Sequence, residues 1–296
     1  QYANFLNSFD TSVELELSYV NQLGRNAELE NAIKIPNKGD DYDDVRKEFR
    51  GMLKDQLNKG NNGLKKSKYI TFTVEAENQN QAKSKLERLE IDILSNLKSM
   101  GVRAESLNGE ERLKLLHDML NPDDVFEFSY KDLKVKETTK SYIVPDIFNF
   151  SPTQYFKFGK YMGAMSHFQI LASELSDRML AELLNTDDNI TISFHIHSVE
   201  QSEAIKMVKR KNSDVERMKM EEQQKAFRGG YDMDIIPSDI NTFGTDIKVL
   251  LNDLQNRDER MFIVTIVIMN SARSVQQIDN TIDQISSIAN RHNCKI

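Results

Sequence analysis

Two stretches of this chain share one order of predicted elements: a strand, a polar cap, a helix and a second, short strand. They run from Tyr69 to Leu107 and from Met261 to Ile296. In each, a strand-like run gives way to the three- and four-residue apolar spacing of a helix. Each half of the chain also opens with an alternating strand and a helix. This self-similarity predicts an α+β fold with two pseudo-repeated β-α-β-α-β halves, which we expect to be ferredoxin-like, and additional helices.

The polar caps before the two repeated helices match in kind. Asn78 is followed three residues later by Gln81, and Ser274 is followed three residues later by Gln277. This spacing is typical of a capping box at a helix start. The apolar stripes of the two helices are Ala82, Leu86, Leu89, Ile93 and Leu97 in the first, and Val275, Ile278, Ile282, Ile285 and Ala289 in the second.

The predicted elements divide the chain into three parts. Residues 1–120 form a first α/β half, residues 121–160 form connecting strands and loops, and residues 161–296 form a second α/β half. We predict a short strand at residues 102–107 and a helix at residues 163–184. Further strands are predicted at residues 12–20, 68–78, 189–200 and 260–270, and further helices at residues 40–60, 109–120, 201–227 and 240–259.

Composition limits the classes of protein to which the chain can belong. Hydrophobic residues make up 39% and charged residues 29%, which predicts a folded chain with a sizeable core. The formal net charge is -7, which argues against a dedicated nucleic-acid binder. The one cysteine, Cys294, excludes an internal disulfide. The longest apolar run, residues 261–269, is far shorter than the roughly 20 residues that span a membrane, so no membrane span is predicted.

The stretch "KGNNGLKKS", residues 59–67, has the composition of a phosphate-binding loop but the wrong spacing. A Walker A loop needs four residues between its glycines and a lysine after the second, whereas two residues separate Gly60 from Gly63 and Leu64 follows. The stretch also follows a predicted helix, which we expect Gly60 and Gly63 to end, and precedes a strand. "FGKYMGAMS" and "DMDII" match no Walker motif either, so the sequence predicts no nucleotide site.

Histidine and cysteine residues offer three further candidate sites. His195 and His197 share one face of a predicted strand, and a His-x-His pair can begin a metal site, but no third ligand stands nearby in sequence. Cys294 beside His292 has the residue types of a nucleophilic pair, and we interpret the cysteine as a small buried thiol. His117 and Asp118 lie on a short helix and are predicted to form a surface pair. The sequence therefore assigns no catalytic, cofactor-binding or metal-binding residue.

The long helix at residues 201–227 begins with a basic stretch. Its residues Lys206, Lys209, Arg210 and Lys211 have the chemistry to meet phosphates or acidic lipid headgroups, although such a run is commonly the solvated face of a helix. Met207, Met218 and Met220 on the same helix indicate an adaptable apolar side that can pack against a partner.

Taken in order, the elements resemble one protein family. The residues that carry the resemblance are "KYITFTVEAENQNQAKSKLERLEIDILSNLKSMGVRAESLNGEERLKLLHDML", "ASELSDRMLAELLN", "NITISFHIHSVEQSEAIKMVKRKNSDVE" and "NRDERMFIVTIVIMN". They resemble the N-terminal region of the CagE/TrbE/VirB family of conjugative type IV secretion ATPases, in the form found in Gram-positive conjugative elements. The resemblance extends from Ser12 to Ile296.

The resemblance implies a role without catalysis by this region. In that family the region precedes a RecA-like motor domain that carries Walker A and Walker B and uses ATP and Mg²⁺. Because this chain begins at Gln1 and ends in a predicted strand, we expect it to be a fragment that lacks the motor core. The family implies a cytoplasmic location, peripheral at the inner face of the membrane. Its implied partners are inner-membrane components of the conjugation channel, with self-association of the full-length motor.

Two other classes of function stay open at this stage. One is a stand-alone enzyme with a site assembled around His195, His197 and Asp188. The other is a nucleic-acid-binding module that uses the basic start of the long helix, with salt-sensitive binding. The docking role predicts no turnover, the enzyme predicts loss of activity on changing either histidine, and the nucleic-acid module predicts weaker binding on charge reversal at Lys209–Lys211.

Overall fold

The computed structural model describes residues 2–23, 35–61, 64–134, 137–172, 175–230, 237–256 and 259–296. Its helices are α1 (Tyr2–Asn7), α2 (Asp43–Asn61), α3 (Gln79–Ser99), α4 (Gly109–Leu120), α5 (Asp177–Leu184), α6 (Gln201–Gly229), α7 (Ser238–Asn256) and α8 (Val275–Arg291). Its strands are β1 (Val13–Leu23), β2 (Leu64–Val74), β3 (Phe148–Asn149), β4 (Phe156–Phe158), β5 (Tyr161–Ile170), β6 (Asn189–Ser198), β7 (Phe262–Ala272) and β8 (Cys294–Lys295). Two single-turn 3-10 helices lie at Tyr130–Asp132 and Thr139–Tyr142.

The described strands form one eight-stranded antiparallel sheet. Its order is β2-β1-β6-β7-β5-β4-β3, and β8 pairs with β5 beyond this path. The predicted α+β class is therefore confirmed. Strands from both predicted halves belong to this one sheet, so the two halves are not visible as separate ferredoxin-like sheets.

The helix predicted at residues 163–184 is wrong over its first half, where the chain forms β5. This strand pairs with β7 from Met162 opposite Ala272 to Phe168 opposite Ile266. A segment between two strands satisfies its backbone groups by cross-strand hydrogen bonds, and this tertiary context overrides local helix preference. The helical part begins only at α5, where the Ser176 hydroxyl accepts a hydrogen bond from the Arg178 N–H.

The short strand predicted at residues 102–107 is also wrong. All six residues are exposed and none has strand conformation. An apolar side chain such as Val102 contributes little to strand formation when no face of it is buried. The segment instead leads into α4, where Asn108 and Glu111 form a reciprocal capping box. The closing strand of the first predicted repeat is therefore absent, whereas β8 closes the second.

The hydrogen bond from the third helical residue to the cap side chain is confirmed in both repeated helices. The Asn78 side chain accepts from the Gln81 N–H at 2.9 Å, and the Ser274 hydroxyl accepts from the Gln277 N–H at 3.3 Å. The Gln81 side chain accepts from the N–H of Glu77 at 2.9 Å, one residue before the cap. Each cap satisfies a backbone donor that the first turn leaves without a helical partner.

The chain forms two compact units, each with its own buried cluster. One unit comprises Gln1–Leu15, Phe72–Ala104 and Ile196–Val264, and the other comprises Glu16–Thr71, Glu105–His195 and Thr265–Ile296. The first contains a cluster of Val199, Ala204, Val208 and Leu254. The second contains a larger cluster that joins β5, β6, β7, α5 and α8 and includes Ile192, Ile268 and Ile285. None of the described helices combines the length and hydropathy that crossing a membrane requires.

Five aromatic rings stack in sequence at the β3–β4–β5 end of the sheet. The stack runs through Phe148, Phe150, Phe156, Phe158 and Tyr161, with neighbouring centroids 5.6 to 5.9 Å apart. Phe148 and Phe150 at one end of the stack are exposed, whereas Phe158 is fully buried. Offset stacking of this kind adds to the stabilisation from apolar burial.

Gly163 is expected to tolerate no side chain because the Phe156 ring covers it. The two residues are cross-strand partners, and a Cβ on Gly163 would lie 2.7 and 2.9 Å from two ring carbons of Phe156. We expect Gly163→Ala to displace this ring and lower the free energy of unfolding by about 1–3 kcal/mol. The matched control is Gly51→Ala in α2, where a Cβ meets nothing within 4 Å. This control should instead raise stability by roughly 0.5–1 kcal/mol, and denaturant unfolding of both variants measures the difference.

Candidate interaction surfaces

Helices α6 and α7 pack against each other as a hairpin between β6 and β7. Near the sheet their seam is the buried cluster of Ala204, Val208 and Leu254. Farther along, a Cβ on Gly244 would lie 2.9 Å from the Lys219 ammonium nitrogen and in van der Waals contact with Val215, 3.6 Å away, both on α6. The two helices are therefore in contact at both levels of the seam.

One flank of this hairpin is polar. Lys248 on α7 lies 3.6 Å from Glu216 on α6, and Glu216 also lies 4.0 Å from Lys219 on its own helix. At about 100° per residue, Glu216 and Lys248 both lie on the same side of the seam. The flank of α6 that carries Glu216 therefore lies beside the flank of α7 that carries Lys248.

The opposite flank carries four exposed apolar side chains, and we call this group the hairpin apolar face. It consists of Met207 and Met218 on α6 and Phe243 and Leu250 on α7, whose exposed fractions are 41%, 52%, 61% and 42%. Residues seven or eleven apart on a helix lie within about 20° of one another, so each pair forms one stripe. Lys211 and Lys225 are each seven residues from Met218 and share its stripe, so the exposed apolar side chains of α6 alternate with lysines there. Grouped exposed apolar side chains of this kind mark a candidate interaction site. The sequence identified the two methionines but not Phe243 and Leu250, whose seven-residue spacing was their signal.

A second exposed apolar stripe lies on α2. The helix predicted from the spacing of Val45, Phe49, Met52 and Leu53 is confirmed, but the first three side chains are exposed rather than turned to a core. Their spacing of four and three residues places them on one side of the helix. This side is a further candidate contact surface.

Lys206, Lys209, Arg210 and Lys211, the basic residues singled out from the sequence, are all exposed on α6. Met220 is exposed as well, at 60%. It projects from a different side of α6 than Met207 and Met218, because it follows Met218 by only two residues. The basic start of the helix therefore adjoins two different apolar sides.

The histidine pair lies on the outer face of β6. His195 and His197 are exposed, whereas Ile192 and Ile196 are buried on the other face, as the alternation predicts. Among the described residues, no group of three His, Cys, Asp or Glu side chains has the geometry of a metal site. Asp188, the acid considered with this pair, accepts a hydrogen bond from the Thr281 hydroxyl at 2.8 Å. The structure therefore ties this acid to α8 by a structural hydrogen bond.

Cys294 is the small buried thiol that the sequence predicts. Its side chain is 1% exposed, and the thiol donates to the backbone carbonyl of His292 at 3.4 Å. The His292 ring is directed to Glu182, 3.5 Å away, which also binds Arg178 and Arg291. Burial raises the pKa of Glu182, but the hydrogen bonds from these three side chains together lower the pKa below its usual value. The imidazole thus belongs to a structural polar cluster.

His117 is buried, so the predicted surface pair is wrong. Its side chain packs against Phe126 with ring centroids 5.1 Å apart, and its Nδ1 lies 3.4 Å from Asp118. The aromatic residues after α4 fold back over the helix and cover the ring, which the sequence of the helix alone does not reveal. This histidine is therefore part of the packing between α4 and the segment that follows it.

A polar cluster that the sequence did not indicate joins Asp123, Tyr161 and Arg273. The Tyr161 hydroxyl and the Arg273 guanidinium each donate to Asp123 at 2.8 Å, and the guanidinium carbon lies 5.7 Å from the Tyr161 ring centre. Burial raises the pKa of Asp123, but these hydrogen bonds together lower the pKa below that of a free aspartate. The cluster ties the connecting segment to β5 and to the end of β7.

The stretches tested as phosphate loops occupy ordinary connections. In "KGNNGLKKS", α2 continues through Asn61 and β2 begins at Leu64, so the predicted order of helix then strand is confirmed. Gly60 is the last residue but one of α2, and Gly63 lies outside the described residues. "FGKYMGAMS" is the β4–β5 hairpin, with Gly159 at a φ of 52° in its turn. "DMDII" lies outside the described residues.

No protein-family model matches the chain, and no curated protein matches its sequence.

Proposed function

We propose that the chain is the N-terminal docking and assembly domain of a type IV secretion ATPase. In this role it recruits the motor to the inner-membrane channel complex and supports DNA transfer. The observation that carries the proposal is the hairpin apolar face, where four large side chains are exposed on a tightly packed pair of helices. The sequence resemblance to the CagE/TrbE/VirB family supports the identity of the assembly.

The chemistry of the hairpin apolar face suits a protein partner. Phe243 offers an aromatic anchor, the kind of side chain that carries binding energy at interfaces. Met207 and Met218 are flexible and polarisable, so they adapt to the shape of a partner. We propose inner-membrane channel components as the partners, a cytoplasmic location peripheral to the inner face of the membrane, and self-association through the full-length motor.

We assign no catalysis to this chain in the proposed role. The resemblance places ATP and Mg²⁺ in a motor domain outside this chain. The burial of the Cys294 thiol and the hydrogen bond that Asp188 accepts from Thr281 support structural roles for these two residues. Turnover should therefore be unchanged when both histidines are replaced by alanine in the full-length protein.

We also propose that the two strand–helix halves are related units. Support comes from the strand order, in which β1 and β6 are neighbours and β2 and β7 lie outside them. In each half the inner strand is followed by one or two helices, an outer strand and a capped helix. Equivalent strands thus mirror one another about the β1–β6 pairing, as related halves of one sheet would.

The proposal is tested by placing charges on the hairpin apolar face in donor cells. We expect Met218→Glu combined with Phe243→Glu to lower DNA transfer by about tenfold or more, because charges desolvated in an interface core oppose association. The same variant should lose co-purification with the membrane proteins of the channel. The control is Val249→Glu, at an exposed apolar position about 100–120° around α7 from Leu250 and Phe243. Unchanged transfer after deletion of the whole gene would overturn the proposal.

A further inference from the structure

The side of α6 that faces away from α7 is basic along its length. At about 100° per residue, a sector of roughly 100° opposite the seam contains Lys206, Lys209, Arg210, Arg217 and Arg228. All five side chains are exposed. No aspartate or glutamate falls within this sector, although Glu203 and Glu221 lie just beyond one edge and Glu216 just beyond the other. We call this surface the basic sector of α6.

This concentration of positive charge contrasts with the chain as a whole, whose formal net charge is -7. Two acids on the other sides of α6 are engaged with nearby cations: Glu216 contacts Lys248 at 3.6 Å, and Glu222 contacts Lys225 at 2.6 Å. Within the basic sector, Arg217 contacts Asp214 at 3.3 Å. The other four basic residues keep the sector positive, so it attracts an anionic surface even on an acidic protein.

Two large apolar side chains project from the same sector. Met220 and Phe227 are 60% and 73% exposed and lie seven residues apart, on one stripe beside the basic residues. Exposed apolar side chains among lysines and arginines are typical of helices that lie in the interface of a bilayer. Nucleic-acid backbones are instead bound by charged and hydrogen-bonding groups, which leaves these two side chains without a role.

We propose that the basic sector of α6 binds the surface of an anionic lipid bilayer. The helix has 29 residues and is about 43 Å long, so its basic residues can meet several headgroups at once. Phe227 and Met220 enter the boundary between headgroups and acyl chains. The inference names residues and a lipid class for the peripheral location proposed above, but it is carried by the charges of α6 and not by the hairpin apolar face.

The test measures co-sedimentation of the full chain with vesicles. We expect at least about tenfold stronger binding to vesicles that contain phosphatidylglycerol than to vesicles of phosphatidylcholine alone, with the difference falling as salt is raised. Lys206→Glu combined with Arg210→Glu should weaken binding to the anionic vesicles by about tenfold or more. Phe227→Ser combined with Met220→Ser should weaken the binding that persists at high salt.

The matched control is Lys47→Glu combined with Lys98→Glu, at exposed positions on α2 and α3. It makes the same change in net charge, so it should leave vesicle binding within about twofold of the parent chain if the sector, rather than overall charge, binds lipid. Equal binding to neutral and anionic vesicles would overturn the inference, as would equal losses in the α6 variant and the control. Binding to duplex DNA without binding to vesicles would reassign the sector to nucleic acid. These binding results are independent of the DNA-transfer test of Met218→Glu combined with Phe243→Glu.

Discussion

Ile268→Asp is expected to abolish the folded state. Ile268 lies in β7, between β6 and β5, with a fully buried side chain in the larger core cluster. An unpaired carboxylate at that position loses its hydration and gains no partner, at a cost of several kcal/mol. Domains of this kind are stable by only about 5–15 kcal/mol, so little folded protein should remain. Circular dichroism during thermal unfolding should show loss of the cooperative transition.

The matched control is Ile263→Asp on the same strand. Its side chain is 51% exposed, so the new carboxylate stays hydrated and stability should change by about 0.5 kcal/mol or less. Ile268→Val tests whether the position tolerates a smaller apolar side chain and should cost about 0.5–1.5 kcal/mol. A normal unfolding transition for Ile268→Asp would contradict the placement of Ile268 in the core.

The contrast between these two isoleucines shows what the sequence of β7 leaves open. The run "MFIVTIVIM" predicts a strand, and the structure confirms it as Phe262–Ala272. Because nearly every residue in the run is apolar, no alternation reveals which side faces the core. Ile266 and Ile268 are buried, whereas Ile263 and Val264 are exposed. The packing of α5 and α8 decides this, and those contacts lie outside the run itself.

The error at β5 has a different physical origin. Residues 161–170 combine small, methionine and aromatic side chains, a mixture with no strong intrinsic preference. What fixes the strand is its position between β7 and β4, where seven residue pairs with β7 satisfy the backbone. The capped helices α3 and α8 carry both a start signal and a regular apolar stripe, and their prediction is confirmed. Local sequence signals were therefore enough to predict α3 and α8. They were not enough to predict β5, whose strand conformation depends on the neighbouring strands.

The candidate surfaces were predictable only in part for the same reason. Met207 and Met218 stood out from composition, but Phe243 and Leu250 join them only because α7 packs antiparallel beside α6. The spacing of Val45, Phe49 and Met52 predicted α2 correctly, yet it did not reveal that this side is exposed. Exposure depends on what covers a helix, and apolar periodicity describes only the helix itself.

Phe158→Ala is expected to lower the free energy of unfolding by about 3–5 kcal/mol, the usual cost of removing a fully buried phenyl group. Phe158 is fully buried and stacks on Phe156 and Tyr161, with ring centroids 5.6 and 5.9 Å away. Alanine would leave a cavity and end the aromatic stack at its buried side. Urea unfolding measures the change, with an unchanged slope expected because the same surface is exposed on unfolding.

The stack itself supplies the control, because Phe150 belongs to it and is 69% exposed. Phe150 contacts Phe148 and Phe156 at 5.7 Å, so Phe150→Ala also removes two ring contacts but opens no buried cavity. We expect a cost of about 1 kcal/mol or less for this variant. Similar costs at the two positions would mean that ring stacking, and not burial, stabilises this end of the sheet. A large cost only at Phe158 would identify burial as the cause and leave the outer rings available for contacts beyond the chain.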